Sequence, residues 1–413
     1  MQKYILFLLI FISFQSLAQK DSTHYWPNGK MKFKGQFTDT LKTGKWSYWY
    51  DNGQMKSVGA YEKNESIGGW NFYYDNGKME KHGNYNNGKK EGKWQFWYAD
   101  GKPSKDFDYK NDQLDGHCIE WFSTGKKSVE GDCISGLKTN HWTWWYSNGK
   151  TDMEGSFTQD KRTGIWNFYY SNGNKGSSGN FVDGLQDGEW KFWYETHPDT
   201  LWKQGSFIQG KKSGLWTAWY ESSIKEREGN FVNGLEDGLW KSWYADAKPK
   251  DEGYFSKGKM NGTWKGWYDN NKPKYDLQYT NEVKNGAATF WYENGNKQYQ
   301  GSYVNGTEDG AWTYWFNDGK LSEQGSYIEG IKDGAWIYYY SNATVMMKQN
   351  YKKGKLDGKC ESWYDHGSKE IEQYFDKGQK TGTWTYWDPQ GKVEKQIEFK
   401  NGKQVKEIGK DGK

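Results

Sequence analysis

The sequence predicts an all-β chain, an elongated solenoid-like ribbon of about fifteen 24-residue β-hairpin repeats. Three observations carry that prediction. The first is a period. A glycine opens each frame at 44, 68, 92, 116, 164 and 188, then at 214, 238, 262, 286, 310, 334, 358 and 382, and Asn140 holds the remaining place. Every step is 24 residues except one of 26, and a fixed short period is the signature of stacked-repeat architectures. The second is the placement of rings. With the opening glycine as position 0, position +2 is Trp in twelve of fifteen frames and +5 is Trp or Tyr in all of them. Positions +6 and +17 are Tyr or Phe in fourteen frames each. The third is turn chemistry. Asn-Gly or Asp-Gly stands at +8/+9 in seven frames, as in Asn52-Gly53 and Asp100-Gly101. These dipeptides tolerate the positive φ of tight hairpin turns.

Taken in order, residues 1–18 read as a signal peptide: Lys3, the apolar run Tyr4–Phe14, then small residues at Ser16 and Ala18. The run is too short for a good membrane-spanning helix. The expected location is therefore the periplasm, the cell surface or the extracellular space. Residues 19–43 form an N-terminal partial repeat and cap, in which Tyr25, Trp26, Asn28, Gly29, Gly35 and Phe37 occupy frame positions. Residues 44–405 are the repeat array and 406–413 a C-terminal tail. Within each frame an aromatic run is the first strand, and a Gly-x-aromatic segment such as Gly59-Ala60-Tyr61 ends the second. A second turn, often with Gly at +20, closes the frame. The two extra residues fall in Glu195–Trp202, where a longer loop replaces the usual turn.

Composition fits a ring-built core. Aromatics make up 19% of the chain, with 52 Gly and 6 Pro, while mean hydropathy is −1.15. A disordered chain would be poor in rings, because rings are what a core buries. One hairpin is marginal in water, so each frame must lean on its neighbours. The expected stacking positions are +2, +5, +6 and +17. A net charge of +4, from 57 basic and 53 acidic residues, gives no case for nucleic acid.

A frame of the form G-x-W-x-x-W-Y-x-N-G-K … G-x-Y-x-x-G-K-x-x-G resembles the MORN repeat family, specifically its bacterial variant, whose members are often labelled YwqK-type antitoxins. The resemblance spans nearly the whole chain after residue 18. It implies a hairpin array acting as a scaffold for protein and lipid contacts, and it implies no enzyme. Choline-binding cell-wall repeats share Gly-Trp-Tyr hairpins of near this length, which keeps a glycan-binding reading open beside an antitoxin-like neutralising partner.

No catalytic set, cofactor or metal site is expected. The six histidines recur at no fixed frame position, and the Asp-Gly junctions offer one acid where calcium needs several converging oxygens. Cys118 and Cys133 replace the +2 and +17 rings of a single frame. They are a candidate disulfide, with two small buried residues as the alternative. Cys360 stands alone at a +2 position and reads as a buried thiol.

Contact residues are sought where frames differ. Position +4 is Tyr48, Phe72, Phe96, Glu120, Trp144, Phe168 and Phe192, then Ala218, Ser242 and Gly266, then Phe290, Tyr314, Tyr338, Ser362 and Tyr386. The ten rings of this set are the candidate contact stripe, interrupted at Ala218–Gly266, and partial cover by adjacent loops is the alternative. Strand alternation puts +4 on the face of +2, so its exposure needs a bulge or an edge. Lys30, Lys78, Lys102, Lys126, Lys150, Lys320 and Lys392 recur after the first turn, either to attract anions or to solubilise an edge. The expected partner is an unidentified protein, with a polysaccharide or an anionic lipid surface as alternatives.

Overall fold

The computed structural model describes residues 19–409. The signal-peptide segment 1–18 and the last four residues lie outside them. The described residues form 34 strands and no helix. The chain divides into two units, residues 1–188 and 189–413.

In the first unit β1 (Gln19–Tyr25), β2 (Met31–Thr38), β3 (Leu41–Trp49), β4 (Met55–Glu62) and β5 (Glu65–Tyr73) set the pattern. Successive strands pair antiparallel, β1 with β2, β2 with β3, β3 with β4 and β4 with β5. The second unit repeats that meander after Thr200 N–H closes the longer loop on the His197 carbonyl, 3.0 Å away. At its end, strand pairing runs to Ile408.

Two turns alternate, and the residues select each. Between β3 and β4, Gly53 N–H donates to Tyr50 O at 3.0 Å and Tyr50 N–H to Gln54 O at 2.9 Å. Only the last loop residue, Gly53, has positive φ, at 89°. This is a three-residue loop: a type I turn plus one left-handed residue. Between β4 and β5, Lys63 and Asn64 both have positive φ, 48° and 72°, as a two-residue type I′ turn requires. Position 0 is also left-handed. Asn140, the one non-glycine there, sits at φ 57°, a region Asn enters more readily than most residues.

The core is a column of indoles, each lying flat on the backbone of the preceding frame. A Cβ added to Gly59 would lie 2.1 Å from the Trp70 ring; at Gly155 it would lie 2.3 Å from Trp166 and at Gly325 2.2 Å from Trp336. The +15 residue is glycine because the next +2 indole fills the space a side chain would need. Trp94, Trp166 and Trp336 are fully buried. The Trp94 indole N–H still finds an acceptor, the Asn84 carbonyl at 3.0 Å, and Trp336 finds that of Ser326 at 3.1 Å. The +17 rings stand edge-on between successive indoles, Tyr61 at 6.0 Å and 89° to Trp46 and at 5.0 Å and 80° to Trp70.

Where +15 carries a side chain, the partner shrinks. Phe107, Leu277 and Gln349 precede Cys118, Ala288 and Cys360. Phe107 pairs across the strands with Cys118, and Leu277 with Ala288. Gln373 alone keeps a tryptophan opposite, and that ring is turned. Trp384 meets Phe375 at 53° and Phe399 at 46°, where most of the other +2/+17 pairs lie near 75–90°.

Positions +5 and +6 do not join this column. They are half-buried near the hairpin turn, and +6 links frames by a hydrogen bond instead. Tyr50 OH donates to Tyr73 O at 2.8 Å, Tyr74 OH to Trp97 O at 2.7 Å, and Tyr268 OH to Trp291 O at 2.7 Å.

Candidate functional site

The +4 rings lie on the same face as the indoles. Each strand does carry an irregularity, but it falls between +4 and +5, as at Tyr48/Trp49, and so redirects +5 rather than +4. Tyr48 stacks on Trp46 at 5.9 Å, Phe72 on Trp70 at 5.6 Å, Trp144 on Trp142 at 5.6 Å and Phe168 on Trp166 at 6.0 Å. Phe192 on Trp190, Tyr314 on Trp312, and the more tilted Phe96 on Trp94 and Tyr338 on Trp336 continue the series. Phe290, above Ala288, stacks on Tyr299 at 4.5 Å, and Tyr386 packs against the cluster around Trp384. All ten rings are half-buried, with one side on the core and the other toward solvent. Burial raises the Tyr48 phenol above its ordinary value and, together with the Tyr48 hydroxyl, pushes Tyr61 up to about 12.

Cations cover this face. Lys42 Nζ lies 4.7 Å from the Trp46 ring, Lys90 5.1 Å from Trp94 and Lys332 3.7 Å from Trp336. The Arg162 guanidinium lies 4.5 Å from Trp166. Such contacts contribute about 0.5–1 kcal/mol each where water reaches them. They come from position +22, not from the lysines that recur after the first turn. Those lysines tie turns together: Lys78 Nζ donates to Asp100 O at 2.7 Å and Lys320 Nζ to Ser341 O at 2.7 Å. Asn52 and Asn76 do the same, each donating to a carbonyl in the next frame's turn.

Cys118 and Cys133 share one buried cluster with Trp142, and both are free thiols, as is Cys360. Burial pushes the Cys118 thiol up to about 12 and also raises Cys133. With Glu120 at +4, this frame lacks three rings, and a cavity of about 400 Å³ opens beside Phe107, Val129 and Lys138.

On the opposite face of the same strands, His117 Nδ1 lies 2.8 Å from Asp132 Oδ1 and Nε2 3.2 Å from Glu130 Oε1. The hydrogen bond to Asp132, with that to Glu130, raises its pKa above 6.5 against some desolvation. A raised folded-state value gives stabilisation that is complete below the unfolded value and lost as pH rises through the folded one. His117 is half-exposed, so the gain is screened to below about 1 kcal/mol. Thermal melts across neutral pH should show wild type losing a small margin over His117→Gln as pH rises, with no such convergence if the network contributes nothing.

This geometry defines a hairpin-repeat protein whose frames are locked together by indole-on-glycine contacts and interturn hydrogen bonds. Eight of its segments match the family described as the MORN repeat variant: residues 19–39, 42–63, 68–87, 90–111, 260–281, 284–305, 308–329 and 380–401. No curated protein matches the chain. Among solved structures it is similar to a crystal structure of TcdB2-TccC3-Cdc42, at 9% identity over 92% of this chain and 28% of that one, with a TM-score of 0.16. A Photorhabdus luminescens Tc holotoxin pore matches at 9% identity over 95% of this chain and 29% of that one, with a TM-score of 0.14. The chain thus spans little more than a quarter of the length of these structures, and superpositions of that quality bear on neither fold nor function.

Proposed function

We propose that the chain is an exported, non-enzymatic scaffold of MORN-variant repeats that binds a protein partner, and that the frames between and after the eight matched segments are repeats of the same kind. One observation carries the reading. In the second unit a row of aliphatic side chains stands in water beside the type I′ turns: Ile208, Val232, Leu235, Val283, Val304, Ile328 and Ile331, each 43–60% exposed. They hold positions +18 and +21, directly paired as Val232 with Leu235 and Ile328 with Ile331. The row steps from frame to frame, because Leu235 lies against Gly258 and Ile331 against Gly354. An apolar row of this kind is a recurrent mark of a protein interface. Export rests on the leader-like segment 1–18.

The full chain, expressed with its leader, is expected outside the cytoplasm with a mature N-terminus at Gln19. In situ cross-linking should then capture one stoichiometric protein partner. Val304→Lys with Ile328→Lys is expected to lower that capture at least tenfold without changing the melt. Retention in the cytoplasm, or capture indifferent to those two changes, defeats the proposal.

A further inference from the structure

The interruption of the +4 stripe is a groove in the second unit. With Ala218 and Ser242 in place of rings, the space above the indoles is open in two compartments, while at Gly266 the Tyr275 ring fills the place of a side chain, 2.3 Å from where a Cβ would stand. The first, of about 110 Å³, is lined by Lys203, Lys212, Arg227, Ala218 and the edges of Trp216 and Trp240. The second, of about 420 Å³, is lined by Trp240, Ser242, Asp251, Met260, Trp264 and Tyr275. Arg227 and Trp240 border both, so the two are continuous.

The compartments differ in chemistry. Among the described residues, no carboxylate lies within ion-pair distance of Lys203 or Lys212. Burial lowers the pKa of both lysines. Arg227 lies 4.1 Å from the Trp240 ring, with Glu236 3.6 Å from one Nη. The first compartment therefore presents three cations with one carboxylate to balance them. The second has an indole and thioether floor and a polar wall. There Tyr275 OH donates to Asp251 Oδ1 at 2.5 Å and Ser242 Oγ to Oδ2 at 3.2 Å.

We infer that this groove binds an acidic saccharide, with a uronate carboxylate among Lys203, Lys212 and Arg227 and the adjoining sugar ring in the second compartment, beside Tyr275, Trp264 and Asp251. Three observations choose that occupant. The charge of the first compartment calls for an anion of carboxylate size. The second combines an apolar floor, which suits the C–H face of a sugar, with Asp251 and Ser242 to meet hydroxyls. Successive frames repeat every two strands, roughly 10 Å, which is about one disaccharide of an extended chain. A peptide strand is disfavoured because no backbone edge is open here. Ala218 pairs with Arg227, Arg227 with Ser242, Ser242 with Asp251 and Asp251 with Gly266.

The test uses the full chain with a hyaluronan tetrasaccharide, which alternates uronate and neutral rings, by calorimetry or ligand-observed NMR. Chitotetraose and tetraglutamate are the comparison probes. Saturable binding of the acidic tetrasaccharide, at least tenfold tighter than either comparison probe and weakened by salt, is the expected result. Ser242→Phe introduces the residue type that the frames flanking the interruption carry at +4, Phe192 and Phe290, so it should fold and yet close the groove, with at least a tenfold loss. Arg227→Gln should lose a similar factor while leaving the melt nearly unchanged. Absence of binding, equal binding of tetraglutamate, or undiminished binding by both variants overturns the inference.

Discussion

Gly155→Leu is expected to destabilise the first unit at the upper end of the roughly 1–3 kcal/mol typical of overpacking, because its side chain must enter the space of the Trp166 ring. A Cβ alone would already stand 2.3 Å from that ring. Trp166→Ala, which opens the opposite void, is expected to cost about 3–5 kcal/mol. The double variant should be far better than the sum of the two, with a favourable coupling of about 2 kcal/mol in a double-mutant cycle. The chain already contains this arrangement, because Leu277 faces Ala288 in one buried cluster. Urea unfolding read by ring fluorescence, with amide exchange in the flanking strands, measures the cycle. Simple additivity would show that the two positions do not share one space.

Trp336→Ala should also be costly, by about 3–5 kcal/mol. The ring is fully buried, has Tyr327 edge-on at 5.0 Å and Tyr338 above it at 6.2 Å, and carries Lys332 on its face. Since each frame contacts chiefly its neighbours, the lesion should stay local. Amides from about Gly325 to Tyr351 should lose protection while those near Trp264 keep theirs. The same change at Trp384 is expected to cost less, because Gln373 already keeps that ring from lying flat. Equal losses at the two sites would count against backbone contact as the source of the stability.

Much of this was legible in the residues. The period, the two strands per frame and the Asn-Gly turns are local properties, and local properties survive reading one frame at a time. The indole-on-glycine contact joins different frames, so it could not be seen within any one of them. Its signal was nonetheless present: at three of the places where +15 departs from glycine, Phe107, Leu277 and Gln349, the residue eleven places on is no longer tryptophan, and Gln373 before Trp384 is the exception. The recurring lysines were conspicuous because they follow an obvious turn, yet the cations on the aromatic face come from other positions, +22 as in Lys90 and Lys332 and +13 as in Arg227, which share no turn motif. Position +4 stands out in the sequence as the ring position that varies. Its meaning depended on which residue the strand irregularity displaces, a backbone detail that side-chain alternation does not reveal. The groove is the least legible feature, since Ala218 and Ser242 mark it only by what they leave empty, while Tyr275 takes up the space at Gly266.

The indole-on-glycine contact also bears on how such a chain can lengthen or shorten. Each pair straddles two frames, the glycine in one and the tryptophan eleven residues on in the next. Unequal crossing-over between gene copies that joins frames inside those eleven residues can unite a bulky +15 with a tryptophan and leave an overpacked, destabilised seam. A junction in the first hairpin turn, near Asn52 or Asn294, keeps every pair intact. The unit free to be inherited, gained or lost therefore runs from one such turn to the next, out of step with the frame that the opening glycine announces.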